Sequence, residues 1–243
     1  VGGDGTINEV VNGLMNASKR AQLGVIGQGT GGDFRKALEL EHRLDKYVEA
    51  IGRDRTRPLD VGKMTRPDGS TRYFMNILSV GMGGLVDRYV ASASRTLGGT
   101  AAYFLASARA LVNSRTGKLV CKVTFEGETT ERRIETLMLA VCNGRYFGSG
   151  MKVAPMAEID DGTFEVVSMA APSKLGFALT SQKIYSGAHM DLPTTQHFRC
   201  QKIELELVND DAKDVFLIDL DGEPLGGLPI AIEVVPGALQ LRA

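Results

Sequence analysis

Val1-Gly2-Gly3-Asp4-Gly5-Thr6-Ile7-Asn8-Glu9 opens the chain, and Gly29-Thr30-Gly31-Gly32-Asp33-Phe34 repeats its theme. Each stretch joins glycines, a hydroxyl and a carboxylate ahead of a helical pattern; after the first, Val10, Val11 and Leu14 fall at i, i+1 and i+4. A glycine turn lets backbone approach a ligand closely, and the helix N-terminus behind it offers free N–H groups to a phosphate. One such turn on its own is more often a tight turn capped by Asp or Thr. Two in succession, with the apolar run 23–26 between them, read as the α/β idiom of a nucleotide-binding layer. Helices are predicted over 7–15, 33–38 and 44–51.

Past a charged stretch that ends in Pro58 the pattern changes. Segments 72–79, 118–125, 131–142, 164–169, 202–207, 215–219 and 230–235 are strand-like, several with period-two alternation. Helical patches at 101–112 and 174–186 interrupt them. Many short strands with Gly or Asp-Gly turns argue for an antiparallel, sandwich-like second domain. The expected division is therefore 1–58 for the end of an α/β nucleotide-binding domain and 59–243 for a β-rich domain. The patch 101–112, with Tyr103, Phe104, Leu105 and Leu111, fits a lipid-channel lining as well as plain core.

Length and composition set the limits. A chain of 243 residues holds one sizeable core or two modest ones. Its net charge of −1 supplies no basic field for nucleic acid or for an anionic bilayer. No run approaches the roughly 18 apolar residues of a membrane span. Cys121, Cys142 and Cys200 are odd in number and lack a CxxC spacing, so they read as reduced, buried thiols of a cytoplasmic protein. His42, His189 and His197 show no metal-ligand spacing and read as solvated or hydrogen-bonded.

The two glycine clusters resemble the catalytic domain of the diacylglycerol kinase, sphingosine kinase and bacterial lipid kinase family. Its first loop reads Gly-Gly-Asp-Gly-Thr-hydrophobic-Asn-Glu and its second Gly-Thr-x-Asn-Asp-Phe. The similarity continues in order through Leu59-Asp60-Val61-Gly62-Lys63, Asn76-Ile77-Leu78-Ser79-Val80-Gly81, Ala154-Pro155 to Asp160-Asp161-Gly162, Asp221-Gly222-Glu223-Pro224 and Pro236-Gly237-Ala238-Leu239. It departs at Gly32, where the family usually has Asn, and at Gln28, where Pro is common. The strand that should feed the first loop does not precede it, so the expectation is an N-terminally incomplete copy. The resemblance implies a partial Rossmann-like domain followed by a β-sandwich-like domain, as in NAD kinases and diacylglycerol kinases.

Phosphoryl transfer from ATP needs a cradle for the phosphates, a metal to offset their charge and a base for the attacking hydroxyl. The cradle expected from the resemblance is Gly2, Gly3, Asp4, Gly5, Thr6 and Asn8, with Gly29, Thr30 and Asp33 from the second loop. Carboxylates at Asp4 and Asp33 in loops suited to anions imply a shared cation, and Mg²⁺ is the natural one. Asp4 is expected to be catalytic as well as nucleotide-binding. Glu223 reads locally as an exposed turn glutamate; the resemblance makes it the general base for a lipid hydroxyl. Glu158, Asp161 and Thr163 resemble a structural magnesium loop, to which Asp60 is added, whereas an Asp-Gly hairpin there needs no metal. The leading expectation is an ATP-dependent kinase acting on a diacylglycerol-like or sphingoid lipid, cytoplasmic and peripheral at a membrane, with a homodimer left open. An NAD kinase-type enzyme acting on a soluble substrate shares the first loop, and a catalytically silent lipid-binding protein is the third reading.

Overall fold

A computed structural model describes residues 1–18, 21–29, 31–92, 99–171 and 173–242. The first layer holds α1 (Asp4–Met15), β1 (Gln22–Gly24), α2 (Asp33–Ala37) and α3 (Leu44–Gly52). Then follow β2 (Thr56–Thr65), β3 (Thr71–Phe74), β4 (Ile77–Gly81), α4 (Met82–Ser92) and α5 (Gly99–Asn113). Next come β5 (Gly117–Phe125), β6 (Glu128–Thr136), β7 (Met138–Cys142), β8 (Phe164–Met169) and α6 (Lys174–Ser181). The chain closes with β9 (Thr195–Cys200), β10 (Lys202–Leu207), β11 (Leu217–Leu220), β12 (Glu223–Pro224) and β13 (Ile230–Arg242).

Two antiparallel sheets make the sandwich, in the orders β3-β2-β13-β10-β5-β6 and β12-β11-β4-β7-β8-β9. The core between them is built from both inner faces, including Phe74 stacked on Phe164 at 5.6 Å, Leu119, Ile203 and Ile232. The mixed α/β and β-sandwich class expected from the sequence is the one observed. The strand-like run 72–79 divides at Met75-Asn76 into β3 and β4, which lie in different sheets. The run 131–142 divides at Leu137 in the same way, into β6 and β7. Each break turns a corner between the packed layers, which local periodicity does not reveal. β4, β7 and β8 are buried at every position, so their apolar runs are continuous rather than alternating.

The first layer is tied to the sandwich by the end of the chain. β1 pairs in parallel with the last residues of β13, Leu23 opposite Leu241. Position 58/59 lies inside β2, and Leu59, Val61, Leu239 and Leu241 share a core with Ile7, Val11, Val25 and Phe34. β13 reaches both layers through an irregularity between Val235 and Leu239, where Gly237 adopts a left-handed φ of +55°.

Helix α4 has no counterpart in the sequence reading, because Gly81-Met82-Gly83-Gly84 looks like a turn. The glycines are there for packing. A Cβ on Gly84 would stand 2.6 Å from the backbone of Leu217, and one on Gly83 2.3 Å from the Ser79 hydroxyl. Strand β9 and the full length of β2 were also not expected, and the patch 174–186 is α6 followed by a 3₁₀ turn.

Candidate active site

The two glycine clusters meet. Gly2 and Gly27 form a parallel bridge, with Gly2 N–H donating to Ile26 O at 3.1 Å and Gln28 N–H to Gly2 O at 2.9 Å. A Cβ on Gly29 would lie 2.7 Å from Gly3 Cα, so glycine is required where the loops touch. A Cβ on Gly5 would meet nothing within 4 Å, which leaves that residue open to close approach. The first turn of α1 has no side-chain cap, so its amides retain hydrogen-bonding capacity. Thr6 is exposed and lies over Gly2. Thr30 lies outside the described residues.

The acidic members of the clusters hold the loops together. Asp4 accepts the N–H groups of Asp33 (3.1 Å) and Phe34 (3.3 Å), joining the first loop to the start of α2. Asp33 is buried; it accepts Ser149 N–H at 2.7 Å and pairs with Lys36 Nζ at 3.0 Å. Gly32 is left-handed, with φ +57°, the backbone region that glycine and asparagine tolerate best. The family's Asn at this position and the Gly of this chain therefore answer one conformational demand. Asn8 turns away from the loop and donates to Tyr73 O (3.1 Å) and Asp221 Oδ2 (2.8 Å).

Asp221 is a residue that sequence reasoning passed over. It has a positive φ of +49°, and its carboxylate accepts the consecutive N–H groups of Met75 (2.9 Å), Asn76 (3.2 Å) and Ile77 (2.9 Å). With Asn8 it takes four donors, so it fixes the turn to the corner between β3 and β4 and to α1. Burial pushes its pKa up to about 6, against the pull of those hydrogen bonds. Glu223, two residues on at the start of β12, is exposed, and no hydrogen bond engages its carboxylate among the described residues.

One cavity of about 920 Å³ connects these parts. Gly3, Asp4, Gly5, Gly29, Gly31 and Asp33 line it, as do Asp221 and Glu223. Its remaining wall is largely apolar, with Tyr103, Phe104 and Leu111 of α5, Phe177 of α6, and Met138, Met151 and Met169. Part of the patch that the sequence left as core or channel lining therefore faces the cavity. Beside it Phe104 and Leu179 are exposed by 72% and 73%, and Leu105, Val112 and Leu175 are also exposed. Lys174 Nζ donates to Val112 O and holds α6 to α5.

Asp60, Glu158, Asp161 and Thr163 do not line this cavity. Asp60 is buried; its oxygens accept Gly237 N–H (2.7 Å) and Gly162 N–H (2.6 Å), clamping the β13 irregularity to the 158–163 loop. Burial raises its pKa. Asp161 accepts the N–H and hydroxyl of Thr163 at 3.0 Å and pairs with Arg199 Nη2 at 2.7 Å. The same Arg199 nitrogen donates to Thr163 Oγ1 at 2.7 Å. A guanidinium thus engages one Asp161 oxygen and the Thr163 hydroxyl, and among the described residues no three His, Cys, Asp or Glu side chains gather as a metal site. The cysteines are buried, and burial pushes Cys121 and Cys200 up to about 12. His42, His189 and His197 each have a hydrogen-bond partner.

Comparison with known proteins agrees with this geometry. Residues 1–64 match the diacylglycerol kinase catalytic domain, and 76–243 match the YegS C-terminal NAD kinase beta sandwich-like domain. The chain is 30% identical over 230 residues to a diacylglycerol kinase of Staphylococcus carnosus, covering 94% of this chain and 70% of that one. It is 29% identical over 244 residues to a "Probable lipid kinase YegS-like" protein of Yersinia enterocolitica, covering 99% and 76%. A solved structure from Bacillus anthracis str. Sterne, provisionally named a diacylglycerol kinase, superposes with a TM-score of 0.73 at 26% identity, over 99% of this chain and 75% of that one.

Proposed function

The chain belongs to the diacylglycerol kinase family, with a YegS-type C-terminal domain, and on that premise we propose that it transfers the γ-phosphoryl group of ATP to a lipid hydroxyl. The observation that supports this reading is the single cavity shared by the glycine loops, Glu223 and the apolar faces of α5 and α6. The loops and the uncapped first turn of α1 receive the triphosphate, whose charge a bound Mg²⁺ would offset. The acyl part of the substrate lies along the α5 and α6 wall. Glu223 takes the proton of the lipid hydroxyl as its oxygen attacks the γ-phosphorus. The bond from that phosphorus to the β–γ bridging oxygen breaks, and ADP leaves.

Asp221 is the positioning residue for this base, since its four hydrogen bonds anchor the turn that carries Glu223. Asp4 acts by holding the two phosphate loops together. No helix among the described residues is long and apolar enough to cross a membrane. The exposed apolar side chains of α5 and α6 beside the cavity would touch the bilayer from which the lipid is taken.

The test is transfer of label from γ-labelled ATP in mixed micelles that hold a diacylglycerol or a sphingoid base, with NAD as a soluble alternative acceptor. Label in a lipid, dependent on Glu223, supports the reading. Label in NAD alone, or in no acceptor, contradicts it.

A further inference from the structure

One residue of the cavity wall holds a backbone conformation that its side chain does not favour. Gly148, Ser149 and Gly150 are left-handed in succession, with φ of +57°, +69° and +108°, and only Ser149 among them carries a Cβ. The loop is closed at its base, where Phe147 N–H donates to Met151 O at 3.1 Å and Met151 N–H to Phe147 O at 3.0 Å. Each tip residue abuts a different part of the site. A Cβ on Gly148 would stand 2.6 Å from the Tyr103 hydroxyl of α5, and one on Gly150 would stand 3.2 Å from Lys36 Nζ of α2. Between them Ser149 N–H donates to Asp33 at 2.7 Å. Ser149 itself is exposed in the cavity, where a glycine would hold the same conformation without strain. A strained residue retained in a cavity wall points to a use for its side chain.

The hydroxyl stands where the glycine loops meet. A Cβ on Gly31 would lie 3.2 Å from Asp4 Oδ2, 3.8 Å from Asp33 Oδ2 and 3.8 Å from Ser149 Oγ. No described residue accepts a hydrogen bond from that hydroxyl or from Gly148 N–H. The described lining residues include no Lys or Arg, so a phosphate seated beside the loops takes its protein donors from amides and hydroxyls. Ser149 brings such a donor from the other half of the chain. It lies within residues 76–243, which match the sandwich domain, whereas Asp4, Gly31 and Asp33 lie within 1–64, which match the catalytic domain.

We propose that the Ser149 hydroxyl donates a hydrogen bond to the γ-phosphoryl group of the nucleotide, so that the β-rich half of the chain completes the phosphate cradle. The inference rests on the kinase reading of the cavity and adds a residue that tells ATP from ADP. The γ-phosphoryl group is the part of the nucleotide that must reach the lipid wall, because it is the part transferred. The loop that carries Ser149 touches Tyr103 on that wall and Asp33 on the phosphate side, so its hydroxyl sits at the junction of the two ligands. A donor there meets the oxygens over which the charge of the transferred group is spread.

Calorimetric binding of the β,γ-imido analogue of ATP and of ADP, each with Mg²⁺, to the purified full chain tests this without any lipid present. Ser149→Ala and Ser149→Gly both lack the hydroxyl. Both should bind the ATP analogue about tenfold more weakly than the wild type and keep ADP affinity within about threefold. Ser149→Gly should unfold at no lower temperature than the wild type, because glycine takes the left-handed region freely. That variant separates ligand from loop shape, since it preserves the loop and removes the hydroxyl. Wild-type affinity for the analogue in Ser149→Gly overturns the proposal and leaves Ser149 a residue of loop shape. An equal loss for analogue and ADP overturns the assignment to the γ-phosphoryl group. A wild type that binds neither nucleotide overturns the kinase reading, and the proposal with it.

Discussion

Two Asp-Gly corners, at 160–163 and 221–224, carry Asp161 and Glu223, to which the sequence reading gave roles, and they use their carboxylates in opposite ways. In the first, Asp161 is engaged on both oxygens by Thr163 and Arg199, and neighbouring Asp60 by two backbone N–H groups. In the second, Asp221 is saturated by four donors while Glu223, two residues away, is exposed with no described partner. Burial and saturation make an acidic residue structural. A carboxylate held rigidly at a cavity with its oxygens open is one that can take a proton from a substrate. In the proposed mechanism Asp221 and Glu223 divide those tasks within one turn.

The largest expected effect from breaking this arrangement is at the glycine loops. Asp4→Ala removes the acceptor for two N–H groups at the start of α2, at a cost of about 1–3 kcal/mol. Turnover with Mg·ATP should be abolished while the sandwich stays folded, as judged by thermal unfolding and a kinase assay on the same sample. Unchanged specific activity in the folded fraction would make Asp4 a cap and nothing more.

Next in size is Asp221→Asn, which turns an amide donor toward N–H donors and should cost about 2–3 kcal/mol. It should also change the dependence of stability on pH. Burial raises the Asp221 pKa from 3.8 to about 6, so the fold prefers the protonated form. Its contribution to stability is present below about pH 4 and is lost as pH rises through 6. Denaturant titrations between pH 4 and 7 should show a shallower slope for the variant than for the wild type.

Arg199→Gln should cost at most about 1 kcal/mol, since the guanidinium is 43% exposed. Wild-type stability should not respond to chelator if the guanidinium, and not a cation, holds the 158–163 loop. The smallest effect expected concerns salt. Liposome co-sedimentation should vary little across a salt series, because Phe104, Leu105, Leu175 and Leu179 of α5 and α6 present exposed apolar surface and the chain carries a net charge of −1. Binding that falls steeply with salt would reveal a basic patch.

Much of this was legible from residues close together in sequence. The glycine clusters declare their turns and helix starts, and the strands 164–169 and 202–207 were read with their observed bounds. The corners at Met75-Asn76 and Leu137 were not legible, because a strand-like apolar run continues across a bend that only the opposing sheet requires. The anchoring of Asp221 depends on amides about 145 positions upstream, so its own neighbourhood carries no trace of it. Helix α4 is hidden by glycines whose purpose is contact with β4 and β11.

The most direct measurement sets the two corners side by side: kcat and thermal stability of Glu223→Gln and Asp161→Asn, each against the wild type, in the diacylglycerol micelle assay. The account predicts that Glu223→Gln lowers kcat by about 10²-fold or more and leaves the unfolding temperature essentially unchanged. It predicts that Asp161→Asn lowers the unfolding temperature and keeps kcat within about threefold of the wild type, because its carboxylate is bound to Arg199 and Thr163 outside the cavity. Near-normal turnover in Glu223→Gln, or a catalytic collapse in a stably folded Asp161→Asn, would contradict it.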